Sequence, residues 1–314
     1  MLTHLIILLD DTSVSYCHYE VTRAEHRLIS IENLKAGIMF AMKENLNVQF
    51  VYPDYDLPSD YADVIETIDH SKVMPISMSH NADVVVLEDW QNLSDNVVEN
   101  KTCLLKASRH ELAQGKEHIK KLFDKAARLN IVVTDVESFM DKDIDEYKRL
   151  LDSLAAYMLD CFHKGKTPQM NLLTDRIFLH EMNNCNAGYS NVTLAPNGKF
   201  YLCPAFYYED ESHSVGALKA GLSIKNQQLL KIDHAPICRI CDAFQCKRCI
   251  WLNNRLTMDM NTPSHQQCVI AHIERNASRE LVEKLGKDGL RLKGSQTIEE
   301  LNELDPFNNV NKWK

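Results

Sequence analysis

Short apolar runs alternate with amphipathic stretches along residues 1–168. The runs at 5–9, 48–52, 84–87, 103–106 and 131–134 have the length and side-chain content of buried strands. Between them, 31–44, 61–70, 111–128 and 144–163 carry apolar residues at helical spacing. Ser30 stands where an N-cap belongs, and Leu34, Ile38, Phe40 and Ala41 give the first helix a mostly apolar face. Such alternation predicts an α/β fold in which helical crossovers join parallel strands, as a partial β/α barrel or an open doubly wound sheet.

The pattern changes at 164–168, where Gly165 and Pro168 end the last of these helices. Cysteine, asparagine and aromatic residues dominate from there to residue 275. Pro196-Asn197-Gly198, flanked by apolar triplets at 192–194 and 200–202, predicts a hairpin, because Asn-Gly accepts the backbone of a tight turn. A final helix is expected over 269–285, followed by a polar tail with Asp305-Pro306 that reads as a loosely attached surface segment. The expected division is 1–168 for the α/β domain, 169–275 for a small cysteine-rich domain and 276–314 for the tail.

A composition of 45% hydrophobic and 25% charged residues is that of an ordinary soluble protein. The net charge of -9 argues against nucleic acid, which needs a basic footprint, and suits a cationic peptide or a protein partner. The apolar run at 5–9 is short and meets Asp10 and Asp11 at once, which argues against a signal peptide or membrane span. A cytoplasmic location follows as the expectation, and there disulfides are disfavoured. Yet seven of the ten cysteines lie close together, in the order Cys185, Cys203, Cys238, Cys241, Cys246, Cys249 and Cys268. Closely spaced thiols outside an oxidising compartment point to a soft-metal centre.

The arrangement Cys185-x12-Gly198-x4-Cys203, then Cys238-x2-Cys241-x4-Cys246-x2-Cys249, then Cys268, resembles the SPASM domain. That domain follows the radical SAM core of many peptide-modifying enzymes and holds auxiliary iron–sulfur clusters. Cys185-Asn-Ala-Gly188 and Cys203-Pro204 fit the likeness, whereas the two shorter central gaps depart from it. The resemblance implies two [4Fe–4S] clusters. Cys238, Cys241, Cys246 and Cys268 would hold one, and Cys185, Cys203 and Cys249 the other. The second set is one ligand short. His180 is a candidate for the fourth place, with an open iron or an ordinary strand histidine as the alternatives. Zinc on all-cysteine sites is the other metal reading.

A radical SAM core would need Cys-x3-Cys-x2-Cys after its first strand, and here those positions read Ser13, Cys17 and Glu20. The Gly-Gly-Glu-Pro expected after the second strand is replaced by Pro53-Asp54-Tyr55-Asp56. The first domain is therefore similar to a radical SAM core in layout but degenerate, and SAM is not an expected cofactor. The whole chain resembles the maturases encoded beside CXXX repeat peptides. That likeness implies maturation of a cysteine-rich ribosomally synthesised peptide (RiPP), alone or with a partner modifying protein. The alternatives are an iron–sulfur electron-transfer or scaffold partner of a separate enzyme, and a zinc-stabilised binding module.

Other reactive residues read as structural. Cys103 falls in an apolar run and Cys161 in the helix ending near His163, and both are expected in the core. Cys17-His18 with Glu20 is a weak nucleophile candidate, since adjacent strand residues point apart. Trp251, Phe206, Tyr207 and Tyr208 lie beside thiols and are expected to shield a centre, while Arg239, Lys247 and Arg248 would offset its charge.

Overall fold

The computed structural model describes residues 2–88, 90, 98–178, 185–243, 246 and 248–298. In chain order they form β1 (His4–Leu8), α1 (Ile31–Glu44), β2 (Asn47–Val51), α2 (Ser59–Ile65), β3 (His70–Pro75) and β4 (Val84–Leu87). There follow β5 (Thr102–Ala107), α3 (Arg109–Gln114), α4 (Lys116–Lys125), β6 (Arg128–Val133), α5 (Asp141–His163) and α6 (Asp175–Phe178). The remainder comprises β7 (Asn191–Leu194), β8 (Phe200–Tyr201), α7 (Pro204–Glu209), β9 (Gly216–Ala217), β10 (Gly221–Leu222), α8 (Ile250–Thr257) and α9 (His265–Lys287). The fold is α/β with mostly parallel strands, as the alternation predicts. No described helix is long and apolar enough to cross a membrane.

Two expected helices differ from those observed. The one over 61–70 stops at Ile65, and His70 opens β3, a strand the sequence pattern hides because its first three residues are only half-buried. The one over 111–128 is split at Gly115, whose missing side chain makes room for the Trp90 ring. Arg128, at its expected end, opens β6 instead.

Two compact units share the chain. The first comprises Met1–Leu87 and Cys185–His234, the second Glu88–Asn184 and Ala235–Lys314. In the first unit the strand order is β4-β3-β2-β1-β7-β8, parallel except for the β7–β8 hairpin. β1 lies between β2 and β7, with His4 opposite Asn47 on one side and Asn191 on the other. Leu5, Ile7 and Leu8 are fully buried, which explains a continuous apolar run where a half-exposed strand would alternate. α1 is capped by Ser30, whose Oγ accepts from the Asn33 N–H at 3.2 Å, and it ends on Asn45 in the left-handed conformation.

In the second unit β5 and β6 pair in parallel, Thr102 opposite Arg128. The Asn171 side chain continues that ladder, accepting from the Ile131 N–H and donating to its C=O, each at 2.9 Å. Glu274 on α9 accepts from the Tyr147 hydroxyl of α5 and from Arg176 of α6, both at 2.7 Å. A buried carboxylate held on both oxygens joins the three helices without an unmet charge.

The segment between β1 and α1 is tied to α7 within the first unit. Arg27 reaches Asp11 at 2.9 Å and Glu211 at 2.6 Å, and Arg23 reaches Glu211 at 2.5 Å while lying over the Tyr207 ring at 4.0 Å. The Tyr207 hydroxyl donates to Asp11. Burial pushes the Glu211 carboxyl up, but hydrogen bonds from Arg23, Arg27 and Asn197 outweigh it and hold it at about 2. A depressed folded value means that Glu211 stabilises the fold above its ordinary value of 4.5, and that this contribution disappears as pH falls through about 2. Glu211→Gln should lower the urea midpoint near pH 7, and the wild-type and variant midpoints should converge as pH is taken from about 5 towards 2. A constant gap across that range would contradict the assignment.

Candidate metal centres

None of the ten cysteines is bound in a disulfide among the described residues. Cys103 in β5 and Cys161 in α5 are buried, and burial pushes the Cys103 thiol up to about 12.

In the first unit the thiols are Cys17, Cys185 and Cys203. Cys185 precedes the turn into β7, where its C=O accepts from the Asn191 side chain. Gly188 completes that turn at φ +75°, with Leu230 and Leu202 against the space a side chain would fill. Cys203 is the N-cap of α7, with Pro204 at the first helical position. Cys17 lies in the segment after β1. Tyr19 from that segment stacks on Tyr208 of α7 at 5.3 Å, and Tyr16 meets Tyr19 edge-on at 5.9 Å.

Cys185 is exposed, whereas Cys17 and Cys203 are half-buried. Burial raises the Tyr16 hydroxyl well above its ordinary value, and the charges of Cys17, Cys203 and Cys185 add to that effect. The Cys203 thiol is pushed up by burial first, then by Cys185 and Cys17, while the N–H groups of Phe206 and Ala205 pull it down. A bare thiolate is thus disfavoured there, and a bound cation would supply the missing counter-charge.

In the second unit Cys238, Cys241, Cys246, Cys249 and Cys268 occupy short turns and helix starts. The Cys241 N–H donates to Cys238 O at 3.2 Å, and its Sγ accepts from the Ala243 N–H at 3.4 Å. Burial pushes the Cys246 thiol up to about 12, with the charges of Cys238 and Cys241 adding and Arg176 opposing. Cys249 caps α8, its Sγ accepting from the Leu252 N–H at 3.5 Å. Cys268 lies in the first turn of α9, four residues before His272.

His272 is the residue the sequence reading missed. Its ring is 1% exposed, with Nδ1 2.7 Å from Cys268 O and Nε2 3.8 Å from Cys241 Sγ. A carbonyl can only accept, so Nδ1 carries the proton and a neutral ring turns its Nε2 lone pair towards Cys241. Asp242 lies 3.5 Å from that nitrogen and pairs with Arg275. The ligand atoms of Cys241, Asp242 and His272 lie within 4.8 Å of one another. The i, i+4 spacing from Cys268 was the available signal, since it places both residues on one helix face. His180 lies outside the described residues.

The donor set fits an iron–sulfur or zinc centre, being soft thiols held in turns with imidazole and carboxylate nearby. A third group, His110, Asp143 and Glu146, lines a cavity of about 470 Å³ in the second unit. Lys116, Lys142 and Arg149 line the same cavity, which disfavours a cation.

No protein-family model and no curated protein matches the sequence. Solved structures do match in fold. Hexahistidine-tagged anSMEcpe with bound AdoMet is 12% identical, with a TM-score of 0.59 over 92% of this chain and 94% of that one. Native anSMEcpe with bound AdoMet and Kp18Cys peptide is 12% identical, with a TM-score of 0.57 over 91% and 98%. The complex with AdoMet and Cp18Cys peptide is 13% identical, with a TM-score of 0.58 over 92% and 98%. Each of these three structures holds AdoMet, so they lend no support to the expectation that SAM has been lost. At such identities the likeness is one of fold, and the chain has the α/β fold of anSMEcpe.

Proposed function

We propose that the chain is a peptide maturase, or a subunit of one, that receives a cysteine-rich ribosomally synthesised peptide beside iron–sulfur centres held by its thiols. The observation that supports this reading is the set of cysteine thiols on turns and helix starts, with Cys241 beside His272 and Asp242, in a fold whose solved examples hold the Kp18Cys and Cp18Cys peptides. The ligand sets are Cys238, Cys241, Cys246 and Cys268 for one [4Fe–4S] cluster, and Cys185, Cys203 and Cys249 for the other, with His180 as the candidate for its fourth place. The division at residues 168 and 275 separates the SAM-like layout from this cysteine-rich part, and a cytoplasmic setting keeps the thiols reduced.

When bound, such a cluster supplies an iron able to act as a Lewis acid or to pass electrons. The chain's own residues prepare the place. Thiols pushed up by burial release their protons when metal binds, so loading is coupled to folding. Tyr16 and Tyr19 meet edge-on beside Cys17 and Tyr19 stacks on Tyr208 of α7, and Arg176 offsets the charge at Cys246. The net charge of -9 favours a cationic peptide.

SAM cleavage is not part of the proposal. Where a ligand thiol would stand, the Ser13 Oγ donates to Val51 O and accepts from the Asp10 N–H, both at 2.9 Å. After β2, the Tyr55 hydroxyl donates to Asp10 at 3.0 Å. Both side chains are committed to holding the end of β1.

A second reading, the zinc-stabilised binding module, is favoured by the closeness of Cys241, Asp242 and His272, which suits a single tetrahedral ion. An anaerobic count separates the two readings. About eight iron and eight sulfide per chain are expected for two [4Fe–4S] clusters, whereas zinc without sulfide would overturn the iron–sulfur reading. Cys241→Ala should remove one centre and lower stability, while Cys161→Ala should leave the metal content unchanged. With dithionite and SAM, 5′-deoxyadenosine should stay at the no-enzyme level, and its formation above that level would contradict the loss of SAM cleavage.

A further inference from the structure

His272 lies one turn beyond Cys268 on α9 and is 1% exposed. Its Nδ1 donates to Cys268 O at 2.7 Å, which fixes the tilt of the ring. Nε2 then faces Cys241 Sγ at 3.8 Å and Asp242 Oδ1 at 3.5 Å. An imidazolium paired with Asp242 is the rival arrangement. It is a poor one, because 3.5 Å exceeds a hydrogen bond and Arg275 already pairs with that carboxylate. The separations suit a shared ion instead. On a tetrahedral ion with bonds of about 2.3 Å to sulfur and about 2.0–2.1 Å to nitrogen or oxygen, neighbouring sulfur and nitrogen stand about 3.6 Å apart, and nitrogen and oxygen about 3.4 Å.

We infer that His272 is a metal ligand through Nε2, at the same centre as Cys241, an assignment that rests on the metal reading above but not on which soft metal is bound. Zinc and the irons of iron–sulfur centres both accept mixed thiolate and imidazole ligands. The surroundings are those of a ligating imidazole. A backbone carbonyl holds the remote N–H, which sets the tautomer and raises the basicity of Nε2. Asp242, 6% exposed, brings a negative charge to the cation, and Arg275 on its Oδ2 turns Oδ1 to the His272 side. Cys241 is half-buried, which leaves an ion a way in. Through His272 the long helix α9 is tied to the turn of Cys241, so metal loading braces one against the other.

The test is metal retention in matched variants of the full chain, prepared anaerobically. His272→Gln keeps a donor for Cys268 O but presents no nitrogen lone pair. It should give up one centre's metal to a competing chelator at least about tenfold more readily than wild type. His272→Cys restores a soft ligand and should hold the metal as wild type does. X-ray absorption at the edge of the metal found in wild type supplies a second readout. There His272→Gln should lose a nitrogen scatterer at about 2.0–2.1 Å. Wild-type retention with an unchanged absorption spectrum in His272→Gln would overturn the inference, as would a His272→Cys variant that folds but loses the metal. Either result leaves the metal reading standing while Cys241→Ala still loses a centre. Zinc without sulfide removes the iron–sulfur reading, yet release of that zinc by His272→Gln still supports the ligand. A wild-type protein that holds no metal defeats both.

Discussion

The first unit depends on the pairing of β1 with β7, which places His4 beside Asn191. Closing so long a loop costs roughly 5 kcal/mol of chain entropy. Leu5, Ile7, Leu8, Val192 and Leu194 are all fully buried by this part of the sheet. At about 1.5–3 kcal/mol for each buried side chain, the gain exceeds the closure term. The same pairing orders the turn before β7 and the segment after β1, so Cys185 and Cys17 owe their placement to a strand contact and not to proximity in sequence.

In both groups the thiols are arranged at a local cost. Burial and mutual charge push Cys203 and Cys246 upward, so without metal these sites favour protonated, uncharged sulfur. Binding a soft cation reverses that preference and releases protons, which couples metal loading to the stability of the surrounding turns. The two groups differ in how they are walled. The segment of Cys17 carries a tyrosine that stacks on α7, whereas the second group has an imidazole, a carboxylate and Arg176 nearby.

The strand–helix alternation was legible because β1, β2, β4, β5 and β6 are apolar runs with clear breaks, and α1 carries its own cap. β3 was hidden by His70, Ser71 and Lys72, which are only half-buried and share no apolar pattern. The Gly115 break depends on Trp90, a contact that no local rule reveals. Among the candidate site residues, the seven ordered thiols stood out by their spacing. His272 was findable from its i, i+4 relation to Cys268, but an isolated histidine on a long helix carries little signal. The fastening of the segment that carries Cys17 to α7 was not legible, since it is produced by tertiary contacts between residues far apart in the chain.

The account centres on a thiol-held metal site that meets a cysteine-bearing peptide. Its most direct test is an anaerobic titration of the metal-loaded protein with a short cationic peptide containing cysteine, followed by Mössbauer or EPR spectroscopy. A serine analogue of the same peptide serves as the comparison. The account predicts a change in the iron signals with the cysteine peptide and little or none with the serine analogue. Unchanged spectra with both peptides would contradict it and would leave the centres as structural or electron-carrying elements.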